Sequence, residues 1–158
     1  MSLADDCYLD AKNSIKNTPK NHFHHVMCFG TFDIFHPGHV YYLSEAEKLA
    51  EQMTIVIARD TRVERLKGKM PHDTEDTRLM NVANAFDQSG VILGDEEDIF
   101  VPIRQLHPDV LAFGYDQRVP EDQIRELFPN IEIVRIGWYQ TDKWKSSKLR
   151  MWMEDDKR

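Results

Sequence analysis

Alternation of short apolar strands with amphipathic helices predicts an α/β fold, a doubly wound five-stranded parallel sheet in a single domain. Three observations predict it. The strand candidates are continuous apolar runs such as MTIVIA at 53–58, the pattern of a sheet covered on both faces. The segments between them carry apolar residues at helical spacing. The chain has 158 residues, enough for one core of this kind and too few for two.

Residues 1–24 are polar and aperiodic, and are expected to form an extension outside a domain spanning 25–153. Val26–Phe29 is the first strand. Gly38–Gln52 is a helix whose face runs through Val40, Leu43, Ala46, Leu49 and Ala50. Met53–Ala58 is the second strand. Residues 59–73, polar and broken by Gly68 and Pro71, read as a loop or broken turn. Thr74–Phe86 is a helix with capping chemistry at Thr74. Gly90–Gly94 is the third strand, Ile99–Leu106 a short helix and Val110–Phe113 the fourth strand. Glu121–Phe128 is another helix, Ile131–Ile136 the fifth strand and Ser146–Met153 a last helix.

Composition narrows the function. Twenty basic against 27 acidic residues give a net charge of -7, which argues against a nucleic-acid or anionic-membrane partner. No apolar run approaches a membrane span, and the N-terminal residues lack the apolar core of a signal peptide. Two cysteines make no disulfide framework, so Cys28, on a strand, is expected to be a buried thiol in a cytoplasmic protein. His22, His24 and His25 lack a carboxylate or cysteine at ligand spacing, and no protein-borne metal site is expected.

The unusual residues follow the strands, and in a parallel sheet those segments share one crevice beyond the strand C-termini. Foremost is GTFDIFHPGH, Gly30–His39. Gly30 permits close backbone approach to a ligand. Pro37 and Gly38 turn the chain so that His39 enters the first turn of a helix, whose free N–H groups suit phosphate. His36 and His39 can then donate hydrogen bonds to charge developing on a transferring phosphoryl group. A metal pair, or ordinary helix-start residues, is the other reading of His-x-x-His; loss of donors at the crevice mouth is expected to spare the fold, loss of structural helix-start residues to disrupt it.

GTFDIFHPGH resembles the signature of the nucleotidyltransferase superfamily with a His-x-Gly-His-type motif, in its cytidylyltransferase-like branch. The resemblance runs from about Val26 to Arg150. It implies a Rossmann-like nucleotidyltransferase fold and Mg²⁺-assisted, in-line attack by the acceptor oxygen on the α-phosphate, with no covalent intermediate. It assigns triphosphate binding to Gly30, Thr31, Phe32, Asp33 and Gly38, and transition-state stabilisation to His36 and His39. The chain offers no nucleophile beside a base, in agreement with direct transfer.

Other segments acquire expected roles from the same resemblance. Residues 59–69 hold five basic residues, either a solvated loop or a phosphate clamp; Lys67 and Lys69 match lysines that meet the phosphates. Arg78 matches a family arginine at the nucleotide, and by itself reads as a surface helix charge. Gly114 and Asp116 match a Gly-Asp segment lining the nucleotide and acceptor pocket, although a plain turn favours the same residues. Ser146 and Ser147 match a turn that holds the distal phosphates, and by themselves read as a capping pair. Lys143 and Lys145 stand where the family often has an Arg-Thr-x-Gly-Ile-Ser-Thr run.

For substrates, the chain looks most like small single-domain FAD synthetases, which join ATP to FMN. It is also similar to glycerol-3-phosphate cytidylyltransferases, which use CTP and glycerol 3-phosphate. The flavin enzymes are favoured on the stretches 58–60, 66–69 and 107–117, but only narrowly: some of them carry cysteines near the C-terminus, and the absence of any after Cys28 counts against them. Trp138, Tyr139 and Trp144 could stack on a flavin ring or pack in the core. A non-catalytic nucleotide-binding protein on the same fold is the reading from another class. The oligomeric state stays open, a homodimer included.

Overall fold

A computed structural model describes residues 23–137. The helix expected at Ser146–Met153, and with it Ser146, Ser147 and the aromatic residues from Trp138 on, lies outside the described residues. The elements run β1 (Phe23–Gly30), α1 (Pro37–Glu47), β2 (Ala50–Ile57), α2 (Asp60–Lys67) and α3 (Glu75–Ala85). They continue with β3 (Gly90–Leu93), α4 (Val101–Leu106), β4 (Val110–Gly114), α5 (Glu121–Leu127) and β5 (Glu132–Ile136).

All strands are parallel, in the order β3-β2-β1-β4-β5. β1 is central, as an apolar strand buried on both faces must be. Its side chains alternate between two cores. Val26 and Cys28 join Val40, Leu43 and Ala46 of α1 and Val82 of α3 on one face. Met27 and Phe29 join Ile103 of α4 and Ile124 of α5 on the other. Chain direction across the sheet reverses at β1, which places the ligand crevice at the β1–β4 junction.

The strands open there. β1 pairs with β2 as far as Gly30↔Ile57, and β4 with β5 as far as Gly114↔Ile136. β1 and β4 pair only from Val26↔Val110 to Cys28↔Ala112. Their last residues therefore part at the C-terminal end of the sheet.

Two expectations on secondary structure are corrected. The basic stretch after β2 is not simply a loop. Asp60 in the first turn and Arg65 and Lys67 in the last complement the helix dipole, and Gly68, at φ 79°, closes α2 in the left-handed conformation. Only Val63 of α2 is buried, so no apolar stripe announces this helix. Conversely, the first helix stops at Glu47, and Ala50–Gln52 belong to β2. β1 begins at Phe23 and pairs there with Ala50, so pairing overrides the helical period that runs on through Leu49 and Ala50.

Cys28 is a free, buried thiol, as expected, with burial pushing its pKa up to about 12. His24 pairs with Glu51, and His25 with Thr54, while Asp109 accepts from both of their backbone N–H groups. These groups line a polar groove of about 600 Å³ at the N-terminal end of the strands, away from the crevice. Among the described residues no helix is long and apolar enough to cross a membrane.

Candidate active site

The two histidines are held by each other's backbone. His36 is the N-cap of α1, and its Nδ1 accepts from Gly38 N at 3.1 Å. His39, three residues on, returns the bond: its Nδ1 accepts from His36 N at 3.4 Å. This is a capping box built from two imidazoles in place of Ser and Glu. The rings stack with centroids 3.7 Å apart. His39 also lies parallel to Phe35, and the Phe32 ring meets it edge-on.

The capping bonds fix the tautomer. A nitrogen accepting a backbone N–H carries no proton, so each neutral ring has its proton on Nε2. Burial holds the rings in that state. It pushes His36 from its ordinary 6.5 to about 4, and His39 well below the usual range, with His36 and Lys67 adding to the effect on His39. Near neutral pH the pair is two uncharged Nε2–H donors, and Lys67, ending α2, lies close enough for its charge to act on His39.

The turn before the histidines is strained and sewn down. Phe32 and Ile34 have positive φ, at 55° and 47°, a conformation that L-residues hold only when neighbours over-determine it. Buried Asp33 supplies the first stitch, its two carboxylate oxygens accepting from His72 N and Asp73 N, both at 2.9 Å. Asp73 supplies the second, accepting from Ile34 N at 3.2 Å. The segment after α2 thus lies against the turn that carries the histidines. Gly30 is required by the packing of this turn. A Cβ on Gly30 would stand 2.8 Å from the Phe32 ring, so the glycine makes room for Phe32.

Arg78 is the largest correction. It is fully buried, not a surface charge, and its guanidinium is committed to protein acceptors. Nε donates to Asp73 O, Nη1 to Thr31 O at 2.6 Å, and Nη2 to Ala58 O and to Asp60 Oδ1 at 2.7 Å. One side chain therefore ties the β1 turn, the end of β2, the start of α2 and the start of α3. Those four bonds use four of the five N–H donors of the guanidinium. Around it, Glu75 N donates to Asp60 Oδ2 and Asp60 N to Glu75 Oε2, while Arg59 pairs with Glu75. Thr31 reaches this network through its carbonyl. Lys69 is exposed just beyond Gly68.

Across the opening, Gly114 ends β4 and Asp116 lies exposed in the turn that follows. Three residues that the sequence did not mark hold this side. Gln117 bridges Gly114 N and Phe29 O. The Tyr42 hydroxyl, on α1, donates to Ala112 O. Arg135 donates to Gly114 O and Gln117 O and lies over the Phe113 ring. Only the period of α1, which sets Tyr42 three residues after His39 on the inward face, could have pointed to any of them. Asp33, His72 and Asp73 place ligand atoms within 4.8 Å of one another, the one such group among the described residues.

The segments after β1, β2 and β4 are thus brought together around a neutral donor pair. Comparisons with known proteins agree. The family model described as Cytidylyltransferase-like matches residues 27–151. The chain is 43% identical to the FAD synthase of Ferroglobus placidus over 115 residues, 70% of this chain and 74% of that protein. It is 36% identical to the FAD synthase of Thermoplasma acidophilum over 129 residues, 79% of this chain and 90% of that protein. Among solved structures it resembles one titled the lipopolysaccharide core biosynthesis protein from Thermoplasma volcanium, with a TM-score of 0.69 and 34% identity over 75% of this chain and 100% of that one. On this evidence the chain belongs to the cytidylyltransferase-like family of nucleotidyltransferases.

Proposed function

We propose that this protein is an FMN adenylyltransferase: it moves the adenylyl group of ATP onto the phosphate of FMN, forming FAD and pyrophosphate. The observation that carries the reading is the identity of 43% and 36% with FAD synthases over most of the chain. The geometry supports the reaction class. A phosphate oxygen of FMN attacks the α-phosphorus in line, and negative charge grows on its oxygens and on the departing pyrophosphate. His36 and His39 offer Nε2–H donors to that charge without titrating, so the donors are in place before the reaction begins. Lys67, and Lys69 beyond it, neutralise the triphosphate. Thr31, Phe32, Asp33 and Gly38 set the turn along which it lies, while Gly114 and Asp116 wall the other side. Gly30 and Arg78 serve by shaping that turn.

Transfer from a nucleoside triphosphate calls for a divalent cation, for which Mg²⁺ is the natural choice. Mg²⁺ is commonly held by one or two carboxylates together with substrate phosphates. Asp33 and Asp73 fit that pattern, since with His72 they bring carboxylate and imidazole ligand atoms within 4.8 Å of one another beside the histidine turn. The ion would supply neutralisation of the phosphate oxygens. The protein's own part remains positioning and hydrogen-bond donation.

The test is product analysis with purified protein, offering ATP or CTP with FMN or glycerol 3-phosphate in the presence of Mg²⁺. FAD should form from ATP and FMN, with matching pyrophosphate release. CDP-glycerol formed from CTP, with no FAD, would overturn the flavin assignment. No turnover with any pair would favour the non-catalytic reading.

A further inference from the structure

β1 and β4 stop pairing at Cys28↔Ala112, yet the next backbone groups are not left to water. The Gln117 carboxamide stands between them. Its Nε2 donates to Phe29 O at 2.6 Å, and its Oε1 accepts from Gly114 N at 2.7 Å. A side-chain amide thus takes the place of a direct strand-to-strand bond, spacing the two strand ends by the breadth of one amide. Each end leads into one wall of the crevice. Phe29 precedes Gly30 and the histidine turn, and Gly114 precedes Asp116. Arg135 fixes the same loop by binding Gly114 O and Gln117 O, so the carboxamide is held from behind.

We infer that Gln117 is a positioning residue whose carboxamide sets the distance between the phosphate-donor wall and the acceptor wall of the crevice. In-line transfer demands that distance. Displacing reacting groups by about 1 Å can cost about 10²-fold in rate. Binding each substrate to its own wall needs no such match. Loss of the bridge should accordingly lower kcat far more than it raises either KM. The inference rests on the adenylyl-transfer reading for its substrates, although the bridge itself does not.

Gln117→Met keeps the length of the side chain and removes both bonds. Gln117→Glu keeps an acceptor for Gly114 N and removes the donor to Phe29 O. Three readouts are compared with wild type: exchange of the Gly114 amide by NMR, steady-state FAD formation, and melting temperature. The Gly114 amide should exchange roughly fivefold or more faster in Gln117→Met, the scale of one lost hydrogen bond, and stay protected in Gln117→Glu. In Gln117→Met, kcat should fall about 10- to 100-fold with KM for ATP and FMN within about threefold. Gln117→Glu should recover part of kcat at most. Faster exchange with unchanged kcat, or a rate loss no larger than the unfolded fraction, would overturn the inference. So would protection of Gly114 persisting in Gln117→Met. A wild-type protein that forms no FAD would instead overturn the flavin assignment, and the bridge would then be judged by Gly114 exchange and by pyrophosphate release with the acceptor that wild type does use.

Discussion

Arg78→Met is the most informative single perturbation of the framework. The guanidinium is fully buried and donates to three backbone carbonyls and to Asp60, drawn from four separate segments. Methionine fills much of the volume and satisfies none of those acceptors. The Asp60 carboxylate keeps its bond from Glu75 N but loses its cation at 2.7 Å. Breaking a buried ion pair from one side costs about 3–5 kcal/mol, and the orphaned carbonyls lie within that loss rather than adding to it, since the loosened turn can admit water. Against the 5–15 kcal/mol typical of a domain, such a loss is severe. Urea unfolding should show a midpoint shift equivalent to about 3 kcal/mol or more, with an unchanged slope. Arg78→Lys should recover only part of it, because an ammonium cannot reach four acceptors in a planar fork. A loss below about 1 kcal/mol, accompanied by a raised KM for ATP, would refute the reasoning. It would return Arg78 to the nucleotide, where the family resemblance first placed it.

The remaining expectations are briefer. His36→Ala and His39→Ala should each lower kcat by about 10²-fold, read by steady-state kinetics, and should also cost about 1 kcal/mol of stability because both residues cap α1. The fold should weaken as pH falls. With His36 at about 4 folded and near 6.5 unfolded, the unfolded chain binds the extra proton between those values, so stability is full above about 6.5 and declines towards about 4, by at most about 3 kcal/mol for this group. Chemical denaturation across that range should show this slope, reduced in His36→Gln. Gly30→Ala should cost about 1–3 kcal/mol by forcing the Phe32 ring away, and should slow turnover through His39, whose ring Phe32 touches; a variant as stable and active as wild type would show that the ring moves freely.

What the sequence made legible is what local chemistry decides. The apolar strands and β1 at the centre follow from continuous burial on two faces, and the histidine turn follows from a strand, Pro37-Gly38 and a helix in succession. α2 was missed because a helix with one buried anchor, Val63, carries no period to read. The end of α1 was overrun because the period through Leu49 and Ala50 continues that of the helix, and pairing of Ala50 with Phe23 decides for the strand. Arg78 and Gln117 were beyond local reading altogether. Their partners lie up to 47 and 88 positions away in the chain, so their roles exist only once the strands are assembled.

That division has a chemical logic. The groups that face the substrate must be free to change partners during the reaction, and a short motif can specify them. The groups that fix their geometry must not change partners, and so they are drawn from wherever the fold delivers a buried acceptor. In the proposed reaction His36 and His39 combine both demands in one ring each: Nδ1 is spent on the backbone, which holds the ring, and Nε2 is left with the proton that would meet the phosphate. An amide such as glutamine could cap a helix or donate to phosphate, but it could not be stacked on its neighbour at 3.7 Å between rigid aromatic walls without losing rotamer definition. A lysine could donate to phosphate but could not accept from Gly38 N. Neutral imidazole meets both requirements at once, and burial, by keeping it neutral, preserves the Nδ1 acceptor that a protonated ring would lose.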